Sequence, residues 1–119
     1  MDNYIRVYEN AFSDELCDRL INKFESTSVS NRERHDMGEM HFSQVNFRAC
    51  GWKEEQDELV NIFLSHTKKY TDDLGITTEF PQKYALEDIR LKKYMPDGYD
   101  QFGPHVDVVD KNTSTRFLV

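Results

Sequence analysis

The sequence predicts a single α+β domain, and three observations predict it. Its 119 residues are 38% hydrophobic and 13% aromatic, which suffices for one modest core but leaves little room for a second. Two segments repeat apolar residues at helical spacing. Several other segments alternate large and polar side chains with the period of two that is typical of strands.

The N-terminal third predicts one strand, one helix and one long loop. Large residues alternate over residues 4–8, which predicts a short strand. Ser13 is a good N-cap, and Asp14 and Glu15 suit the positive end of a helix dipole, so a helix is predicted from this point. Residues 25–40 are polar and predict a long loop that suits a lid. The apolar stripe of the helix comprises Leu16, Leu20, Ile21 and Phe24.

The remainder predicts a second helix and a series of strands. Residues 42–49 alternate weakly and predict a strand, and residues 54–74 predict a helix that ends at Gly75. Its apolar side comprises Leu59, Ile62, Phe63, His66 and Tyr70. Further strands are predicted at residues 86–95, around His105 and at residues 113–119.

Charge and composition argue against several classes of protein. A net charge of −7 disfavours a surface that follows a phosphate backbone, so we expect no nucleic-acid partner. Residues 1–12 contain charges and no apolar run, and no apolar stretch reaches membrane length. We therefore expect no membrane partner and a cytoplasmic location. Cys17 and Cys50 lie far apart and form no CxxC motif, which predicts reduced, partly buried thiols.

His105 and Asp107 are the strongest candidates for chemistry. On a strand, residues two apart lie on one face, so this imidazole and this carboxylate converge. A His-x-Asp pair supplies two ligands of the 2-His-1-carboxylate triad that binds Fe(II). The alternative is a histidine at a strand end that is hydrogen-bonded to a nearby acid. His35 and His41 in the polar loop are weaker candidates for a third ligand, and His66 is expected to be a hydrogen-bonded residue at the core edge.

These residues carry a resemblance to a known family. Residues 91–98 (Leu-Lys-Lys-Tyr-Met-Pro-Asp-Gly), 102–107 (Phe-Gly-Pro-His-Val-Asp) and 114–119 (Ser-Thr-Arg-Phe-Leu-Val) resemble the metal-binding core of prolyl 4-hydroxylase-like Fe(II)/2-oxoglutarate-dependent dioxygenases. Residues 8–20 resemble the first strand and helix of that family. The resemblance covers nearly the whole chain.

The resemblance implies a fold and a set of roles. The fold would be N-terminal helices packed on a double-stranded β-helix, a jelly-roll or cupin-like core. Residues 1–119 would form the N-terminal and central part of that domain, with its C-terminal strands missing. His105 and Asp107 would be iron ligands, Tyr94 would bind the 2-oxoglutarate carboxylate, and Arg116 would lie at the substrate entrance or barrel rim. The family's distal histidine and its 2-oxoglutarate-binding basic residue would lie downstream.

The resemblance also implies an activity. The chain would use Fe(II), 2-oxoglutarate and dioxygen, with ascorbate as reductant, to hydroxylate a prolyl residue or another peptidyl or small-molecule substrate. Succinate and CO2 would be released. A second hypothesis is that the chain is a truncated, non-catalytic remnant that acts as a binding or assembly module. In that case, the unpaired strand expected near Val119 would favour self-association.

Overall fold

The computed structural model describes residues 2–118 and places two helices and four strands in them. They follow the order α1 (Asp14–Ser26), β1 (Glu33–Met37), β2 (Met40–Asn46), α2 (Lys53–Leu74), β3 (Arg90–Lys93) and β4 (Gln101–Phe102). The sheet has the order β1-β2-β3, and β4 also pairs with β2. It is antiparallel and not closed. The predicted α+β class is therefore confirmed.

The chain divides into two compact units. The helical unit comprises the described residues up to Glu33 and the segment Gln44–Lys92. The hairpin unit comprises Arg34–Ser43, at the turn between β1 and β2, and the described residues from Lys93 onward. All the candidate site residues, from Tyr94 to Arg116, belong to the hairpin unit.

Helix α1 begins where the sequence predicts. The Ser13 hydroxyl accepts a hydrogen bond from the Leu16 N–H at 3.1 Å, which satisfies one of the free donors of the first turn. Leu16, Leu20 and Phe24 are buried, as expected for one stripe of a helix. Ile21, which the predicted stripe included, is 57% exposed, because its position lies to the side of the buried row.

Helix α2 is also confirmed. Its first turn carries Glu54 and Glu55, and it ends at Gly75, whose φ of 67° is the left-handed conformation that glycine adopts without strain. The Gly75 and Ile76 N–H groups donate to carbonyl groups of the last turn. None of the helices in residues 2–118 is both long and apolar enough to cross a membrane.

The hydrophobic core lies in the helical unit. Phe47 and Trp52 pack with ring centroids 5.0 Å apart. They belong to the same core cluster as the buried residues of α1 and α2. Glu55 is 4% exposed within this unit, and Lys23 donates to its carboxylate at 2.9 Å. Burial alone raises the pKa of Glu55, but Lys23 and Arg19 outweigh that effect and hold it below its ordinary value. The buried residues of the core are Leu16, Leu20, Phe24, Val45, Phe47, Trp52 and Leu59.

The predicted loop over residues 25–40 is wrong in its second half, which forms β1. This strand carries Glu33, Arg34 and Asp36 where an alternating apolar pattern was expected, and four of its five residues are exposed. Pairing with β2 stabilises it, and Glu33 accepts a hydrogen bond from the Gln44 side chain at 2.5 Å. The two-residue turn to β2 contains Gly38 with a φ of 59°.

Two predicted N-terminal and central strands need correction. Residues 4–8 form no strand and contact α2 instead: the Tyr70 hydroxyl donates to the Tyr4 carbonyl at 2.7 Å, and the Tyr8 hydroxyl donates to Asp73 at 3.1 Å. The strand predicted at 86–95 is shorter and is β3. Asp88, within the lost part, instead accepts from Asn46 at 3.2 Å.

The strands predicted near the C-terminus are wrong. His105 lies in irregular chain, since the preceding Pro104 has no N–H to give to a ladder. Within the predicted strand 113–119, Thr113–Thr115 is a 3₁₀ turn. The Thr113 hydroxyl accepts from the Val109 N–H at 2.9 Å, a local bond that competes with strand pairing. Val119 lies outside the described residues.

Candidate metal centre

A tight turn leads the chain from β3 towards His105. The Asp97 carboxylate accepts hydrogen bonds from the N–H groups of Tyr99 at 2.9 Å and Asp100 at 3.2 Å, and Gly98 has a φ of 78°. The chain then enters β4, where Phe102 pairs with Met40 of β2. The Pro-Asp-Gly sequence therefore forms a turn, which its residue types favour.

Gly103 holds the chain against the β1–β2 turn. Its N–H donates to the Glu39 carbonyl at 3.0 Å, which ends the pairing of β4. A Cβ atom on Gly103 would lie 2.3 to 2.9 Å from Glu39 side-chain atoms, including its Cβ. Glycine is required here by this close approach and not by its backbone angles.

The two ring nitrogens of His105 both face oxygen atoms. Nδ1 lies 2.9 Å from the Gly103 carbonyl oxygen, which can only accept, so Nδ1 carries a proton. Nε2 lies 3.3 Å from the Asp107 Oδ1. A neutral imidazole would then turn its lone pair towards a carboxylate. Either a cation held by both groups or a second ring proton satisfies this arrangement.

The donor set fits two ligands of one metal ion. Bonds from histidine nitrogen or carboxylate oxygen to zinc are about 2.1 Å long, so ligands at adjacent corners lie about 3 Å apart. The separation of 3.3 Å between His105 Nε2 and Asp107 Oδ1 is close to that value. A backbone carbonyl on Nδ1 is a common partner of a metal-binding histidine. Both side chains are 41% exposed and accessible to an ion.

The third ligand is not found in residues 2–118. No group of three or more histidine, cysteine, aspartate or glutamate side chains there is arranged to hold a metal. His41 faces the Asp36 carboxylate at 3.2 Å and the Gly38 carbonyl at 2.8 Å, and His35 stacks on Phe42 at 4.9 Å. His66 is half-buried and contacts the Ile62 carbonyl at 2.8 Å, as predicted for a residue at the core edge.

Tyr94 belongs to a row of aromatic rings that includes His105. Its ring centroid lies 5.4 Å from that of Phe42, Phe42 lies 5.5 Å from Phe102, and Phe102 lies 4.0 Å from His105. Phe42 is 2% exposed and is the centre of the row. Partial burial raises the pKa of the Tyr94 phenol above its ordinary value. A protonated phenol can donate a hydrogen bond.

Arg116 contacts the candidate site through the backbone. Its guanidinium donates to the carbonyl oxygen of Asp107, and its own N–H donates to the Thr113 carbonyl at 3.1 Å. The 3₁₀ turn that replaces the predicted strand brings Arg116 back to this position. The structure thus brings together His105, Asp107 and Arg116, and links Tyr94 to His105 through Phe42 and Phe102.

Two charged residues beside this site were missed by the sequence analysis. Arg34 of β1 forms paired contacts with Asp100, whose side chain is only 2% exposed. Asp100 in turn accepts from the Met95 N–H at 2.8 Å. Nothing in the sequence indicates that Asp100 is buried, and Arg34 was placed in a predicted loop, so this pair could not be predicted.

The comparisons with known proteins give no further guide. No protein-family model, curated protein or solved structure matches the chain. The assignment of a function therefore depends on the residues of the site itself.

Proposed function

We propose that the chain carries the metal-binding part of an Fe(II)- and 2-oxoglutarate-dependent dioxygenase of the prolyl 4-hydroxylase-like kind. Its substrate would be a prolyl residue or another peptidyl or small molecule. The observation that carries the proposal is the 3.3 Å approach of His105 Nε2 to Asp107 Oδ1, with Nδ1 already bound to a carbonyl. The jelly-roll or cupin-like core that such an enzyme uses belongs to the same proposal.

His105 and Asp107 would hold the iron in this proposal. A neutral imidazole and a carboxylate suit Fe(II) and leave other positions open. The third ligand would come either from further along a longer chain or from a histidine of a second copy of this chain. When bound, Fe(II) and 2-oxoglutarate supply the oxidation of the substrate by dioxygen, with release of succinate and CO2.

Tyr94 and Arg116 would serve the iron site in different ways. The Tyr94 phenol would donate a hydrogen bond to a carboxylate of 2-oxoglutarate. Arg116 would fix the backbone at Asp107 through its bond to that carbonyl. Its guanidinium would also place a positive charge near the entry of an anionic or peptidyl substrate.

Metal binding tests the proposal most directly. Fe(II) would be titrated anaerobically into the 119-residue chain by calorimetry, with ascorbate present, and compared with Asp107→Asn and His105→Ala. We expect each substitution to weaken binding at least about tenfold, because loss of even an outer-shell partner costs about that much. Succinate formation from 2-oxoglutarate would be followed in parallel.

Asp110→Asn is the matched control. Asp110 lies three residues from Asp107, and its carboxylate accepts from the Thr113 N–H at 2.8 Å, a bond that an asparagine oxygen can also accept. This variant loses the same charge in the same loop and should bind Fe(II) within about twofold of wild type, because its carboxylate is not a ligand. Equal affinity of the wild type and Asp107→Asn would refute the metal centre.

A binding or assembly module is the second candidate. Only two ligands of the proposed triad lie together in the described part of the chain, and the hairpin unit exposes several apolar side chains there. Sedimentation would distinguish the candidates: self-association that Val106→Asp abolishes, without Fe(II) binding, favours the module. The exposed apolar residues after His105 are Val106, Val108, Val109, Phe117 and Leu118.

A further inference from the structure

We propose that Arg34 and Asp100 are positioning residues for Tyr94, the proposed 2-oxoglutarate ligand. This inference rests on the proposed function. Asp100 Oδ2 accepts a hydrogen bond from the Met95 N–H at 2.8 Å, and that amide belongs to the peptide that joins Met95 to Tyr94. The carboxylate therefore fixes the peptide plane directly after the phenol-bearing residue.

Asp100 can hold this position because its charge is balanced. Its side chain is 2% exposed, and a buried carboxylate requires a partner. Arg34 supplies two N–H groups, with Nη2 at 2.7 Å from Oδ1 and Nη1 at 3.2 Å from Oδ2. The Arg34 contact, followed by the Met95 hydrogen bond, lowers the pKa of Asp100 below its ordinary value.

Arg34 is held in turn by the β1–β2 hairpin. Its Nε donates to Asp36 Oδ2 at 3.0 Å and its Nη2 to Asp36 Oδ1 at 2.9 Å. Asp36 also faces His41 Nδ1 at 3.2 Å. Alternating charges thus run from the hairpin to Asp100 and end on the backbone beside Tyr94. His105 and Asp107 are held separately, by the Gly103 carbonyl and by Arg116.

Because the contacts that hold Tyr94 differ from those that hold His105 and Asp107, binding measurements can distinguish the positioning role. Loss of the Arg34–Asp100 contact should move Tyr94 and weaken 2-oxoglutarate binding, while Fe(II) binding at His105 and Asp107 stays unchanged. A general loss of structure would weaken both. The test variant is Asp100→Asn, which keeps an acceptor for Met95 but removes the charge that pairs with Arg34.

The experiment measures three quantities on the full chain. They are hydrogen exchange at the Met95 amide, the affinity for 2-oxoglutarate in the presence of Fe(II), and the affinity for Fe(II) alone. For Asp100→Asn we expect exchange at the Met95 amide to become faster. The 2-oxoglutarate dissociation constant should rise about tenfold, a size typical of losing an outer-shell partner. The Fe(II) dissociation constant should stay within about twofold, because both metal ligands keep their own supports.

Arg34→Lys tests the geometry of the pair. Lysine keeps the charge but lacks the planar fork, so it cannot bridge two carboxylates in the same way. We expect intermediate values for Met95 exchange and 2-oxoglutarate affinity, and circular dichroism would show that each variant keeps its helices. Asp110→Asn is the control, since the Asp110 carboxylate is bound by Thr113, outside the Arg34–Asp100 pair, and the change should alter neither value more than about twofold.

The outcomes separate this inference from the proposed function. Unchanged Met95 exchange and unchanged 2-oxoglutarate affinity in Asp100→Asn overturn the inference. Equal loss of Fe(II) and 2-oxoglutarate binding also overturns it, because the role is then only structural. If the wild-type chain binds neither Fe(II) nor 2-oxoglutarate, the proposed function is refuted. The inference about Tyr94 is then refuted as well, even if exchange at the Met95 amide rises in Asp100→Asn.

Discussion

The helical unit and the hairpin unit are stabilised in different ways. Seven buried apolar residues form the core of the helical unit, whereas in the described part of the hairpin unit Phe42 is the sole hydrophobic side chain that is fully buried. The hairpin unit relies instead on Arg34 and its two carboxylates, on local turns such as that at Asp97, and on contacts between aromatic rings.

This difference would match a division between a stable scaffold and the proposed metal site. Apolar burial is the main source of folding free energy, so the helical unit should be the more stable part. Segments with few buried apolar contacts open at lower free energy, and residues that bind ligands are often found in them. His105 and Asp107 lie in such a segment, where side chains remain accessible to an ion.

The largest effect that would test this comparison comes from paired phenylalanine substitutions. Phe47→Ala in the helical unit removes a side chain that is 1% exposed and should cost about 3–5 kcal/mol of unfolding free energy. Phe102→Ala in the hairpin unit removes one that is 37% exposed and should cost about 1–2 kcal/mol. Urea denaturation followed by circular dichroism measures both values.

Equal costs for the two variants would mean that the hairpin unit has as much of a core as the helical unit. Ile21→Ala serves as the control for the helical unit, because Ile21 is 57% exposed. That variant should change stability by less than about 1 kcal/mol, as surface substitutions usually do.

A smaller effect is expected from Gly103→Ala. The added Cβ collides with Glu39, whose Cβ lies 2.7 Å away, so the backbone must shift at a cost of about 1–3 kcal/mol. The Gly103 carbonyl should then leave His105 Nδ1. Nitrogen NMR of the imidazole would detect this as a change in tautomer.

A second substitution shows whether the collision is the cause. Glu39→Gly removes every side-chain atom that the new Cβ would meet. The double variant should therefore recover the wild-type tautomer of His105, although the added glycine will lower its stability. A Gly103→Ala chain with an unchanged His105 signal would contradict the role given to this glycine.

The smallest expected effect is the response of the hairpin unit to acid. The hydrogen bonds from Arg34 and then from His41 lower the pKa of Asp36 from 3.8 to about 2. Because the folded pKa lies below the unfolded one, the stabilisation is complete above the unfolded value and is lost as pH falls towards the folded value. Amide spectra of the hairpin unit should therefore change between these two values.

The variant Asp36→Asn shows which part of the acid transition belongs to Asp36. Asparagine does not titrate in this range, so the part of the transition that belongs to Asp36 should disappear from spectra of β1 and β2. Asp100 and Glu55, whose pKa values are also lowered, should still titrate in the variant. An unaltered acid transition would show that Asp36 does not contribute to the order of the hairpin.

The helices could be predicted from the sequence because their signals are local. Ser13 and Gly75 mark helix ends through contacts with their own neighbours in the chain. The apolar stripe of α1 is equally local, and Ile21 was assigned wrongly because spacing alone does not fix the edge of a stripe. The strand β1 escaped prediction because its stability comes from pairing with β2 and not from its own charged residues.

The approach of His105 to Asp107 could be predicted from the sequence, but the contacts that hold the two side chains could not. The spacing of His105 and Asp107 suggested convergence, and their nitrogen and oxygen atoms do converge, although in irregular chain and not on a strand. Arg34 could not be assigned, because it is 66 residues from Asp100 in the sequence. A long-range ion pair has no periodic pattern from which it can be read.

The single tryptophan of the chain gives the two units separate optical signals. Trp52 lies in the core of the helical unit, 4% exposed and beside Phe47, with the Lys23 ammonium 5.3 Å from its ring. The hairpin unit contributes Tyr94 and Tyr99 instead. Tryptophan emission will therefore report the melting of the helical core, whereas an opening confined to the hairpin unit will leave the emission maximum in place and change only tyrosine absorbance.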